Sequence, residues 1–124
     1  MTATITKATQ VHLDNVTLTA GAAATSSAIQ DLTNVDLATV DLRITNGDTG
    51  PTVPAQIQIE TSPDNGTNYF DFGGPLVSLT GNNVITEWAG IFLPPGCMYV
   101  RIRAGSNTGQ NVTARAVVNT YKKV

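Results

Sequence analysis

Any chemistry in this chain has to start from one imidazole and one thiol. His12 is the only histidine and Cys97 the only cysteine, so a nucleophile that needs a base beside it has His12 alone to use. His12 falls on the polar face of a β-prone segment and reads as a surface or hydrogen-bonded histidine; Cys97 directly follows Pro94-Pro95-Gly96 and reads as a small turn residue rather than a thiolate. No Cys/His cluster has zinc spacing, and there is no Walker loop, no GxSxG and no GxGxxG after a strand. No catalytic residue, cofactor or metal is therefore expected. The 9 carboxylates are dispersed, so a hydrolytic pair would have to be assembled by the fold. Asp71 and Glu87, which both adjoin aromatic residues, are the pair to inspect, with cross-strand pairing to Arg101, Arg103 or Arg115 as the alternative. Asp64-Asn65-Gly66-Thr67-Asn68 is rich in oxygen ligands, yet it departs from EF-hand spacing, lacks the distal Glu and reads as a turn.

Two other sets of residues can act without reacting. Arg101, Arg103 and Arg115 sit on alternating stretches, and a register that gathered them on one face would repel itself unless acids intervened. They form either a solvated face with local ion pairs or a contact surface for the carboxylates of a partner. Tyr69, Trp88 and Tyr99 could stack on sugar rings, although a domain with 7 aromatic residues needs most of them in its core.

The elements that must position these residues are strands. Met98, Val100, Ile102 and Ala104 alternate with Tyr99, Arg101 and Arg103, and Val112, Ala114, Ala116 and Val118 repeat the period of two beyond a polar Gly105–Asn111 stretch. Met98 to Tyr121 thus reads as a hairpin. Val40, Leu42 and Ile44 alternate with Asp41, Arg43 and Thr45, and Ile57 and Ile59 alternate with Gln56, Gln58 and Glu60. From Val11 to Thr19 the apolar parity changes across Asp14 and Asn15, which predicts a strand with a bulge. Gly21 to Ser27 reads as a loop, and Ala28 to Leu37 has room for one helical turn. Val84 to Leu93 is the most apolar stretch, and the turn Asp64-Asn65-Gly66 precedes Tyr69, Phe70 and Phe72. Turn signals every eight to twelve residues or so, with no convincing helix, predict an all-β fold: an antiparallel β-sandwich of about eight strands, a jelly roll being one form of it. Residues 1–10 are expected to form an N-terminal arm or edge strand ahead of a single sandwich domain over 11–124.

Composition agrees with this class. Of 124 residues, 41% are apolar and 13% charged, and the charged share is roughly half the usual one, as suits a surface that lives inside an assembly. A net charge of −2 offers no basic face for nucleic acid. The opening residues resemble no export signal, the single cysteine excludes an intrachain disulfide, and no run approaches membrane-spanning length. The expectation is a soluble product of a reducing cytoplasm with neither a nucleic-acid nor a membrane partner.

The run SPDNGTNYFDFGG, followed by LPPGCMYVRIRAGSNTGQNVTARAVVNTY, resembles small all-β virion proteins of tailed bacteriophages, particularly those that decorate or cement the capsid. The resemblance covers about the second half of the chain. It implies a domain that sits on the major capsid protein at the virion surface, commonly as a homotrimer, and stiffens the shell without catalysis. Tyr99, Arg101, Arg103, Arg115, Ile5, Lys7 and Tyr121 are then the candidate contact residues, and charge reversal at Arg101 and Arg103 is expected to impair assembly while sparing folding. Two alternatives stand beside it, a carbohydrate-binding β-sandwich module and a tail, baseplate or head-completion component.

Overall fold

The computed structural model describes residues 4–64 and 67–123, so Thr2, Val124 and the Asn65-Gly66 centre of the predicted turn lie outside the described residues. Ten strands follow one another: β1 (Ile5–Leu18), β2 (Thr25–Ser26), β3 (Gln30–Asp31), β4 (Leu37–Asn46), β5 (Gln56–Ser62), β6 (Phe70–Asp71), β7 (Leu76–Val77), β8 (Ile85–Leu93), β9 (Tyr99–Gly105) and β10 (Val112–Lys123). One sheet has the order β1-β10-β4-β8; in the other, β9 and β5 form the centre, β2 and β3 flank β9, and β6 and β7 flank β5.

All pairings are antiparallel and nested: β1 with β10, β2 and β3 with β9, β4 with β8, and β5 with β6 and β7. A chain doubled into one long hairpin and then rolled up produces that nest. The roll is closed by β10 against β4 in one sheet and β9 against β5 in the other. Counting β2 with β3, and β6 with β7, as two interrupted strands gives the eight-stranded double-sheet jelly roll.

Alternation decides which side of each strand is buried. Ala38, Val40, Leu42 and Ile44 of β4, Ile57 and Ile59 of β5, Val100, Ile102 and Ala104 of β9, and Val112, Ala114, Ala116 and Val118 of β10 form the core between the sheets. Ile44, Ile57 and Ile102 are among its largest fully buried side chains, each contributing about 1.5–3 kcal/mol through the apolar surface it removes from water. No aromatic residue is fully buried in this core; Phe72 packs only partly against it. The aromatic residues are therefore on the surface, contrary to the expectation that the core consumes them, because branched aliphatic residues already fill the space.

Three stretches differ from their sequence reading. Gly21–Ser27 is not loop throughout, because Thr25 and Ser26 pair with Ala104 and Arg103 as β2. Ala28–Leu37 contains no helical turn: Gln30 and Asp31 pair with Val100 and Tyr99 instead. Met98–Tyr121 is not a hairpin, since β9 and β10 lie in opposite sheets. Residues 105–111 carry the chain across the sandwich, held by Asn107, whose Nδ2 donates to Leu18 O at 3.0 Å and Gln110 O at 2.9 Å. Gly105 opens that crossing at φ 141°, where an added Cβ would come within 2.8 Å of Ala24 Cα, a conformation and a closeness that only glycine accepts.

Candidate interaction surfaces

The residues with reactive potential are spent on structure. His12 Nδ1 lies 2.8 Å from Ser27 Oγ and Nε2 lies 2.7 Å from Gln30 Oε1. A hydroxyl and a base in contact resemble the start of a nucleophile relay, but the third group is a neutral amide that cannot balance an imidazolium. Ser27 Oγ also accepts the Ile102 N–H at 3.0 Å. The three side chains clasp β1 to the β2–β3 edge of the other sheet. Cys97 is half-buried and donates its N–H to Pro94 O in the turn before β9, the turn role read from its sequence. Asp71 pairs across from Glu60 in one sheet and Glu87 across from Arg43 in the other, so the two carboxylates do not meet. Among the described residues, no group of three or more His, Cys, Asp or Glu is placed to hold a metal ion. No helix among them is long and apolar enough to cross a membrane.

On the β9–β5 sheet, Tyr99, Arg101 and Arg103 point outward from β9 opposite Ser62, Glu60 and Gln58. Arg101 Nε donates to Glu60 Oε1 at 3.1 Å, and its guanidinium stacks 3.8 Å from the centre of the Tyr69 ring. Glu60 is only 7% exposed, so the arginine balances a carboxylate already removed from water. Burial raises the Tyr69 phenol above its ordinary pKa, against the opposing pull of Arg101. Arg103 differs: it is exposed and lines a shallow cleft of about 230 Å³ with Gln56, Gln58 and Asp71.

The other outer face carries a row of charge across four strands. Arg115 of β10 stands opposite Arg43 of β4, which stands opposite Glu87 of β8. Like charges directly opposed destabilise a sheet, and acids flank the two cations: Arg115 Nη1 donates to Asp14 Oδ1 at 2.7 Å. The bulges of β1 between Val11 and Val16 make this possible, with Asn15 at φ 49°. The predicted change of parity across Asp14 and Asn15 is thus what brings an acid beside Arg115. Beyond this row, Ile5 and Lys7 of β1 pair with Lys123 and Tyr121 of β10, and Lys7 Nζ sits 5.9 Å from the Tyr121 ring centre. Here both faces of β1 are exposed from Ile5 to Val11, so this end of the sheet overhangs the sandwich.

The seven candidate contact residues accordingly divide. Tyr99, Arg101 and Arg103 share one outer face, while Arg115, Ile5, Lys7 and Tyr121 share the opposite one. The hairpin reading that would have brought all three arginines together fails for this reason. The proposed sugar platform divides too, because Trp88 lies on β8 and Tyr99 on β9, in different sheets. Sequence reading also passed over the exposure of β8: Ile85, Trp88 and Phe92 are about half exposed, since their strand is a sheet edge.

A double-sheet jelly roll is the architecture of many viral capsid and lectin domains. No family model matches the chain, and no curated protein matches its sequence. Solved structures do match in fold. The VP2 subviral particle of infectious bursal disease virus aligns with TM-score 0.59 and 9% identity over 95% of this chain and 32% of that chain. T=1 particles derived from the same virus align with TM-score 0.59 at 9% identity, and its Gx strain with TM-score 0.58 at 10% identity. At such identities the likeness establishes the fold, and this chain spans 32% of the length of those proteins.

Proposed function

We propose that this chain is a non-enzymatic structural protein of a virus particle, of the capsid decoration or cement type resembled by its second half. The observation that carries the reading is that the jelly roll aligns, over 95% of this chain, with the fold of a protein that forms a subviral particle. In this reading the chain binds the major capsid protein at the outer surface of a tailed phage, as a homotrimer, after synthesis in the host cytoplasm. Its mechanism is added interface: each specific contact of standard size buries about 1,600 Å² in total, and many copies acting together stiffen a shell even when each binds moderately. The exposed apolar residues of β8 and the free guanidinium of Arg103 supply the two ingredients of such contacts, apolar area and a planar cation. Sugar recognition is the less favoured reading because its aromatic residues are divided between sheets.

Co-sedimentation with empty shells of the major capsid protein tests the proposal. The wild-type protein is expected to pellet with shells and to raise their disruption temperature. Arg103→Glu should weaken that binding with an unchanged melting temperature, since among the described residues no ion pair or hydrogen bond holds the Arg103 head group. Protein that ignores shells while binding glycans would overturn the proposal in favour of a carbohydrate module.

A further inference from the structure

β1 is an edge strand, hydrogen-bonded to β10 on one side of the sheet. Natural sheets blunt their edges with bulges, prolines, charges or covering segments, because an open edge presents a row of unpaired N–H and C=O groups. In the β1-β10-β4-β8 sheet, β8 is interrupted by an irregularity between its Val40 and Leu42 pairings, with Gly90 at φ 70°. The second half of β1 is bulged between Val11 and Leu13 and again before Val16, and His12 is clasped by Ser27 and Gln30. From Ile5 to Val11, among the described residues, a single charge is all that remains of these devices. The strand runs in unbroken register with Lys123 to Val117, contains one charged residue, Lys7, and is exposed throughout. This regular stretch is roughly 23 Å long at the usual rise per residue.

We infer that this edge pairs antiparallel with the same edge of a second copy, about a two-fold axis at Ala8, joining two four-stranded sheets into one. The sequence of the edge is self-complementary in that register. Ile5 meets Val11 of the second copy and Lys7 meets Thr9 on one face, while Thr6 meets Gln10 and Ala8 meets Ala8 on the other. Every regular residue is used, and no like charges are opposed. Centring one residue earlier sets Lys7 against Lys7, which disfavours that register. The overhang leaves room, since the sheet containing β9 does not cover Thr6, Ala8 or Gln10. The contact is isologous and closed, and it can join copies of neighbouring trimers or form a dimer by itself. It does not depend on the capsid reading.

Cysteine cross-linking of the purified chain in a Cys97→Ser background tests the register. Symmetry-related residues at such an axis have Cα atoms about 4.5–5.5 Å apart, within disulfide reach. Ala8→Cys should oxidise to a covalent dimer and Thr6→Cys alone should not, whereas Thr6→Cys mixed with Gln10→Cys should yield the mixed dimer. A monomeric Ala8→Cys, or equal cross-linking of Ala8→Cys and Thr6→Cys, overturns the inference. Thr9→Glu and Thr9→Lys test it without a cysteine. Both lose the same hydrogen bond to Asn119, but the first should tighten self-association about three- to tenfold and the second weaken it comparably, by placing two charges opposite Lys7 across the axis. Equal affinities for the two variants would also overturn it.

Discussion

Among the described residues, each outer face of the sandwich carries one arginine–carboxylate pair, and the two pairs do opposite things. Arg115 and Asp14 are the closer, at 2.7 Å, but the Asp14 side chain is 77% exposed. Arg101 and Glu60 are 3.1 Å apart, with the glutamate side chain 9% exposed. Distance alone would rank the first pair higher. Burial reverses the order: an exposed pair gives up hydration and side-chain freedom for little gain, whereas removing one partner of a desolvated pair leaves a charge without compensation. Arg101 is therefore part of the fold, sandwiched between Glu60 and Tyr69, and Arg103, two residues along the same face, is the exposed one.

The largest break in this contrast is Arg101→Ala, expected to destabilise the chain by about 2–3 kcal/mol because the buried Glu60 loses its cation and is left with a 3.4 Å hydrogen bond from Ser26 Oγ; urea denaturation measures it. The charge reversal at Arg101 first suggested by the alternation is thus a test of folding, and Arg103→Glu is the cleaner test of assembly. Arg115→Ala should cost less than about 1 kcal/mol by the same measurement, and that small loss should shrink further in high salt. If the two losses proved equal, burial would not be the deciding variable.

A similar distinction explains what could be read from the sequence. The period of two in Val100-Ile102-Ala104 and Val112-Ala114-Ala116 identified the strands and their buried sides, because a pleated strand shows its two faces to different surroundings whatever its neighbours are. It did not identify the sheet. Both arms bury the same side between the layers, so a hairpin and a crossing of the sandwich leave the same pattern; the difference rests on Asn107 and Gly105, whose roles depend on segments far away in the chain. The Asp14-Asn15 bulge was legible because it shifts parity locally. The exposure of Trp88 and Phe92 was not, since an apolar edge strand and an apolar central strand look alike in one dimension. Tyr99, Arg101, Arg103 and Arg115 fall on the outward side that the alternation gives them, but their division between two faces required the topology.

We propose that this molecule works through its surfaces, by contact with other protein subunits. Sedimentation velocity of the purified chain across a concentration series tests it most directly. The expected result is a defined species larger than the monomer, growing in proportion as concentration rises. A monomer at every concentration, together with a failure to bind shells, would contradict it.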